Sequence, residues 1–566
     1  MNAPDAGTHR ALPVYQALAE DIRALGVGCV FGLMSDDTAV LATTLDSMGI
    51  RFCGARHENN AIAMAEGHAY ATGRLSIALI GRGPATANGL HAAVAASRMG
   101  SPVLVIYGEA PVGGGPNAGG PDYKAFNATG VLHAAGIRCF SATSADGARG
   151  ALADAAALAR QGTLAALLLP VNVQLASTSV PVAEPPRPAQ AAHQPAAARA
   201  QSIEAAVALL ARSQRPVIVA GMGAHKAAAK PALEALAEKT GALLITSVRG
   251  KDMFRGSPYS LGLLGSFSHS VGRRMMEQAD CVIVFGAGLN FFTTSFGAAL
   301  PAVPLIQVDR VRAHIGRWTA ADVAVVGDAR VAAEQFLAAL PARPAGNKPF
   351  HAPETLRMLA GFDPAREFRP ANTARTVDPR SLAIELDKLL PADRTIVYDG
   401  GNFLGVAPYL SVPDPGHFKM TSDFASIGLG FGTALGVAMG RPDKTTVLMI
   451  GDGSFLMTLG ELETAVREDL PLVIVVMNDC AYGAELHFLK MGNLPVAKSV
   501  FPDVDFAPIA EGFGFRAATI RSLDNLRAAA PLLAKAQGPV LLDCKLNAAV
   551  AAPFIGEIVE FEARHR

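Results

Sequence analysis

The fold is written most plainly in GDGSFLMTLGELETAVREDLPLVIVVMNDCAYG, residues 451–483. The apolar run TVLMI, 446–450, breaks there into Gly451-Asp452-Gly453-Ser454. A helical segment follows, then a second apolar run, 472–477, which ends at Asn478. Two apolar strands joined by a helix are parallel neighbours, and sheets of that kind bind ligands at the carboxyl ends of their strands. Asp452 and Asn478 are therefore expected to converge across 26 positions. A carboxylate, an amide oxygen and a nearby backbone carbonyl, here that of Cys480, form a set of hard oxygen donors. Such a set suits Mg²⁺, which keeps few protein ligands and completes its shell with water and phosphate oxygens. Gly451 and Gly453 let backbone N–H groups approach a diphosphate, and the helix start near Ser454 favours its charge.

A lone GDG is a common tight turn. The GDG followed by an apolar strand ending in Asn at this spacing resembles the signature of thiamine-diphosphate enzymes. Many of those enzymes carry a second Asn after the first, where this chain has Asp479. Two further motifs stand in the order the resemblance requires. Arg56-His57-Glu58 follows the strand-like run 50–54 and opens a helix over 61–72. In that setting Glu58 is similar to the catalytic Glu of the pyruvate decarboxylase, benzoylformate decarboxylase and acetolactate synthase superfamily. The resemblance implies that Glu58 exchanges a proton with the aminopyrimidine ring of the cofactor; without it, an acid at a helix start is merely favourable to the helix dipole. The next strand ends in GRGPATAN, 81–88, similar to the family's SGPGxxN turn, which brings in Pro84 and Asn88 as cofactor contacts.

Between these motifs and the GDG, residues 425–436, ASIGLGFGTALG, resemble the family's glycine-rich helix start. In that register Ile427 is the apolar wedge that bends the cofactor, and Ala425, where many relatives have Gly, contributes a backbone carbonyl. The resemblance adds Gly401, Asn402 and Tyr482 as further cofactor contacts. It covers nearly the whole chain.

Composition agrees. With 566 residues the chain is too long for one domain and fits three. Half the residues are hydrophobic, 17% are charged and the formal net charge is zero, with no basic run, so neither nucleic acid nor an anionic membrane is the expected partner. Six scattered cysteines without a CxxC pattern indicate neither a disulfide framework nor a zinc site. The first ten residues lack the build of a signal peptide and no apolar span is long enough to cross a bilayer, so the expected location is the cytoplasm.

Residues 180–200, rich in Pro and Ala, read as a linker, and 341–375 form a second break. Each of the three resulting segments alternates short apolar runs with helical patterns, which predicts an α/β chain of three doubly wound parallel-sheet domains. By resemblance they are a pyrimidine-binding domain (1–180), a central domain (200–342) and a diphosphate-binding domain (376–566). Relatives' central domains bind flavin, ADP or nothing. Gly221-Met222-Gly223 resembles a nucleotide turn, but Gly288 stands where flavin- and ADP-binding relatives often place an Arg, so structural support is the expected role.

The reaction depends on groups around the substrate. FGLMSDD, 31–37, resembles the family's FGxPG loop and sets Asp36 where pyruvate decarboxylases have a substrate-facing Asp. Glu485 matches their second acid, after the metal-site loop. Two acids could relay the protons that aldehyde release needs. The paired histidines of those decarboxylases are absent from 110–126, and so is the Phe-Gln of acetolactate synthases. Arg82 either clamps a substrate carboxylate or salt-bridges elsewhere; His57 reads as structural and His91 as a helix-face residue. The resemblance implies a homo-oligomer, dimeric or tetrameric, that uses thiamine diphosphate and Mg²⁺ to make or break the bond next to a carbonyl. The foremost reading is a 2-oxo acid decarboxylase or carboligase. The alternatives are a lyase of 2-hydroxy ketones or 2-hydroxyacyl-CoA, and a catalytically silent cofactor-binding paralogue.

Overall fold

In the computed structural model, which describes residues 9–113, 123–181, 195–341, 348–534 and 538–565, the two apolar runs are the strands Thr445–Gly451 and Leu472–Asn478. They lie side by side and parallel, with Gly451 opposite Met477. Residues 447–450 and 473–476 have no exposed surface, as expected of strands covered on both faces. Around this pair a six-stranded parallel sheet runs in the spatial order Phe418–Met420, Arg394–Tyr398, Thr445–Gly451, Leu472–Asn478, Val540–Lys545, Arg516–Ile520.

The N-terminal segment builds a sheet of the same chain-order pattern: Arg51–Gly54, Cys29–Gly32, Ser76–Ile80, Val103–Glu109, Ala165–Pro170, Arg138–Ser141. The middle segment builds a third, Ser260–Leu263, Leu243–Thr246, Pro216–Ala220, Cys281–Phe285, Leu305–Asp309, Val323–Val326. Its order reverses beside Pro216–Ala220, as in doubly wound nucleotide folds. Helices cover the sheets, so the α/β expectation of three doubly wound parallel sheets holds. A two-stranded antiparallel ribbon, His9–Pro13 with Ser177–Pro181, ties the two ends of the N-terminal segment together. Of the two expected breaks, 182–194 and 342–347 lie outside the described residues.

Two helices join the first and last sheets. Glu58–Thr72 packs on Gly430–Gly440 along a face where Gly67 meets the carbonyl of Thr433, Gly436 that of Met64, and a Cβ on Gly432 would lie 2.9 Å from the Asn60 carbonyl. Without side chains at these points the backbones touch, which no other residue permits. Polar ties reinforce the contact. Asn60 Nδ2 and the Arg56 amide donate to Glu461 Oε1, each at 2.9 Å, and buried Lys419 pairs with Glu66, which also accepts from Ser101 Oγ at 2.6 Å. None of the six cysteines is in a disulfide, and no helix among the described residues is long and apolar enough to cross a membrane.

Candidate active site

The carboxyl ends of the last sheet open into a cavity of about 2180 Å³ that reaches across to the middle sheet. Its wall holds Gly401, Asn402, Ala425, Ile427, Gly451, Asp452, Gly453, Ser454, Tyr482 and Glu485. A buried acid organises these loops. Asp399, with no exposed surface, accepts from the Gly400 amide (2.9 Å), Thr421 Oγ1 (3.0 Å), the Gly428 amide (3.1 Å) and Ser454 Oγ. Ser454 Oγ in turn accepts from the Gly428 amide at 2.8 Å. Three separate turns are thereby held against one carboxylate. A Cβ on Gly400 would lie 3.1 Å from the Ser426 carbonyl and 3.3 Å from Ile427, so the glycine leaves the wedge residue its place. Ala425 takes a left-handed conformation (φ 53°), which glycine adopts more readily than alanine. Asn402 spends its amide on the C-terminal segment, donating to the Val550 carbonyl (2.9 Å) and accepting from the Ala552 amide (2.7 Å).

Of the expected metal ligands, Asp452 alone lines the cavity. Asn478 is still in strand register opposite Lys545, so its side chain points away from the face that Met477 and Asp479 share. Its Nδ2 donates to Asp543 (2.9 Å) and the Val504 carbonyl (3.1 Å), and its Oδ1 accepts from the Cys480 amide (3.3 Å). Neither Asn478 nor Cys480 lines the cavity; Asp479 and Ala481, one position further on, do. Cys480 takes a left-handed φ of 56°, which turns the chain after Asp479, and burial pushes its thiol up to about 11.

A second cluster lies at the carboxyl ends of the N-terminal sheet. His57 caps its helix, Nδ1 accepting from the Asn59 amide at 3.1 Å, and thus orients the loop as expected. Glu58, 8% exposed, accepts from Asn88 Nδ2 at 3.2 Å; Asn88 sits in the helix Pro84–Met99. Arg82 Nε donates to the buried Asp37 at 3.0 Å. Asp36 is exposed and pairs with Lys124, which holds its carboxyl below the usual range. Much of the loop 110–126 (residues 114–122) lies outside the described residues. Glu58, Asp36, Arg82, Pro84 and Asn88 do not line the cavity that holds Asp452 in the same chain. His91 and Arg98 do: His91 Nε2 lies 2.7 Å from Ser426 Oγ, and Arg98 stacks 4.4 Å from the Phe424 ring centre. His91 is therefore more than a helix-face residue.

Comparison with known proteins bears on all three sheets. Residues 13–127, 203–340 and 399–544 match the family models of the N-terminal thiamine pyrophosphate (TPP)-binding, the central and the C-terminal TPP-binding domains of thiamine pyrophosphate enzymes. The chain belongs to the thiamine pyrophosphate enzyme family. This enzyme is 24% identical to a probable acetolactate synthase large subunit of Methanocaldococcus jannaschii, over 95% of its own chain and 93% of the relative. It is 27% identical to a sulfoacetaldehyde acetyltransferase of Castellaniella defragrans (94% and 91% covered) and 29% identical to a probable 2-ketoarginine decarboxylase of Pseudomonas aeruginosa (91% of each). A putative thiamin diphosphate-dependent enzyme of Mycobacterium smegmatis shares its fold, with a TM-score of 0.76 at 22% identity over 95% of this chain and 100% of the other.

The residues of this TPP enzyme fit both expected groups. Asp452 is 2% exposed and its Oδ2 has no hydrogen-bond partner, while Oδ1 accepts from the Gly453 amide at 2.8 Å. Burial, with Asp479 beside it, pushes Asp452 up to about 8, and burial pushes Asp479 up to about 7. A buried acid pair that resists ionising is answered by a divalent cation. Among the described residues no group of three or more His, Cys, Asp or Glu could hold a metal, so such a site draws on the pair and backbone oxygens. A Cβ on Gly453 would lie 2.6 Å from the Tyr482 ring, so the glycine leaves that ring its place on the cavity wall.

Sequence reasoning missed Asp479, Asp399 and the cavity role of His91. A signal existed for two of them. Strand alternation sets residues 477 and 479 on one face, and Asp399-Gly400-Gly401 repeats at a neighbouring strand end the acid-plus-glycine pattern of the GDG. For His91 no signal existed, because its partner Ser426 is distant in sequence.

Proposed function

We propose that this TPP enzyme decarboxylates a small 2-oxo acid and either releases the aldehyde or transfers the fragment to a second carbonyl. The observation that carries this reading is Glu485, an exposed acid on the wall of the cavity that also holds Asp452, Asp479 and Tyr482. Relatives named for acetolactate synthesis, acetyl transfer and 2-ketoarginine decarboxylation support the class of chemistry. Asp452, Asp479 and a backbone oxygen near Ala481 would hold Mg²⁺. Gly401, Gly451, Gly453 and Ser454 would hold the diphosphate, and Ile427 would support the ring system. The cofactor, when bound, supplies the electron sink for cleavage next to the carbonyl.

The chain's own residues supply position, shielding and protons. Asp399 fixes the three turns before any ligand arrives, which lowers the ordering cost of binding. Glu58 exchanges a proton with the aminopyrimidine nitrogen. Since Glu58 lies off the cavity of its own chain, the working unit is at least a dimer, in which Glu58 of a second copy faces this cavity. Glu485 delivers the proton that ends the reaction as an aldehyde; Asp36 is its companion from the second copy.

A panel of 2-oxo acids and acyloins, with CO₂, aldehyde and acyloin measured separately, tests the reading. Glu485→Gln should slow aldehyde release by about 10²-fold or more, slow CO₂ loss less, and shift product toward acyloin when an acceptor aldehyde is supplied. Cleavage of 2-hydroxy ketones or 2-hydroxyacyl-CoA without CO₂ would establish the lyase alternative instead.

A further inference from the structure

At the position where the resemblance sets a second Asn, this chain has the carboxyl group of Asp479. Asp479 stands on the same cavity wall as Asp452, and its carboxylate fills the space a Cβ on Gly483 would need. Asp452 is 2% exposed, and its Oδ2 is an unpartnered polar atom. Among the described residues neither carboxylate is in an ion pair, and Lys490 acts on Asp479 only at longer range. The two carboxylates share one stretch of cavity wall and repel one another.

Cation affinity at oxygen sites rises with the number of charged ligands. With Asp452 alone, a bound dication keeps a net positive charge and needs the diphosphate to balance it. With Asp452 and Asp479 together, the protein balances the dication by itself. We propose that Asp452 and Asp479 capture a divalent cation in the absence of cofactor, so that the metal site is complete before the diphosphate enters. This rests on the assignment of the cation to these two acids above. Its consequence is an order of assembly. The cation arrives first and relieves the repulsion between the acids, and the diphosphate then meets a neutral site whose attraction comes from backbone amides and the metal's open positions.

The test uses full-length enzyme stripped of metal and cofactor with a chelator, then desalted. Mn²⁺ alone is titrated in, and free Mn²⁺ is followed by electron paramagnetic resonance; titrations with thiamine diphosphate present run in parallel. Wild type should bind one Mn²⁺ per chain without cofactor. Asp479→Asn, nearly isosteric, should weaken cofactor-free Mn²⁺ binding at least tenfold and much less when cofactor is present. Asp452→Ala should lose both, with circular dichroism confirming the fold of each variant. Wild type that binds Mn²⁺ only with cofactor, or Asp479→Asn that binds as wild type does, overturns the proposal. Failure to bind Mn²⁺ under either condition overturns the cation assignment itself, whereas Mn²⁺ capture without turnover of any 2-oxo acid leaves this inference standing and removes only the proposed reaction.

Discussion

Glu58 sits in the first turn of its helix, nearly buried, with its carboxylate held by Asn88. An amide in its place keeps the hydrogen-bonding shape and loses the capacity to exchange a proton. Glu58→Gln should therefore fold and bind thiamine diphosphate normally. Hydrogen–deuterium exchange at the cofactor's C2 should fall by about 10²–10⁴-fold, read by acid quench and NMR. The loss of helix-dipole stabilisation, about 0.3–1 kcal/mol, is too small to unfold the protein. Wild-type exchange in a cofactor-loaded mutant would mean that another group activates the cofactor. Asn478 teaches the complementary lesson. It has a suitable oxygen at a suitable spacing, yet its amide belongs to Asp543 and Val504, because adjacent strand residues face opposite ways.

Among elements, the pairing of the helices Glu58–Thr72 and Gly430–Gly440 does most to relate the two outer sheets. Gly436 faces the Met64 carbonyl, a backbone atom that cannot swing aside. Gly436→Ala should cost about 1–3 kcal/mol as overpacking and weaken cofactor binding, since Ile427 and Gly428 lead directly into that helix. Gly556→Ala, in the helix Pro553–His565 with nothing within 4 Å, is the control and should be neutral or stabilising by about 0.5–1 kcal/mol. If both variants melt like wild type, the close backbone approach carries no energetic weight. The strands Arg138–Ser141, Ser260–Leu263, Phe418–Met420 and Arg516–Ile520, which interrupt their apolar residues with polar ones or glycine, are all sheet edges. An edge strand is covered less completely than a central one and needs no continuous apolar run. The central strands, buried on both faces, announce themselves by composition alone.

For the whole molecule the decisive fact is the separation of two clusters: Glu58 and Asn88 do not line the large cavity that holds Asp452 and Asp479 in the same chain. The proposed assembly unites them between copies. Glu58→Gln and Asp452→Ala are each expected to be inactive alone. Dissociated, mixed and reassembled, they should recover up to about a quarter of wild-type activity if dimers form at random and each active site draws on both chains. No recovery in verified hybrids, or full activity in a verified monomer, would count against a shared site. In the proposed assembly the second copy would cover this cavity and the exposed Glu485 on its wall.

The sequence by itself determined the three-part α/β plan, the family, and the turns that carry Glu58, Gly451, Asp452 and Ile427. Each of these depends on local order: apolar runs long enough to be central strands, glycines where a strand meets a helix, and an acid at a helix start. Tertiary structure decided which face of the strand, that of Asp479 and not of Asn478, meets the cavity, that Asp399 holds three turns together, that His91 meets Ser426, and that Arg82 is paired with Asp37. Those outcomes depend on which way a side chain points and on what lies across the gap from it, and the partners are supplied by segments far away in the chain.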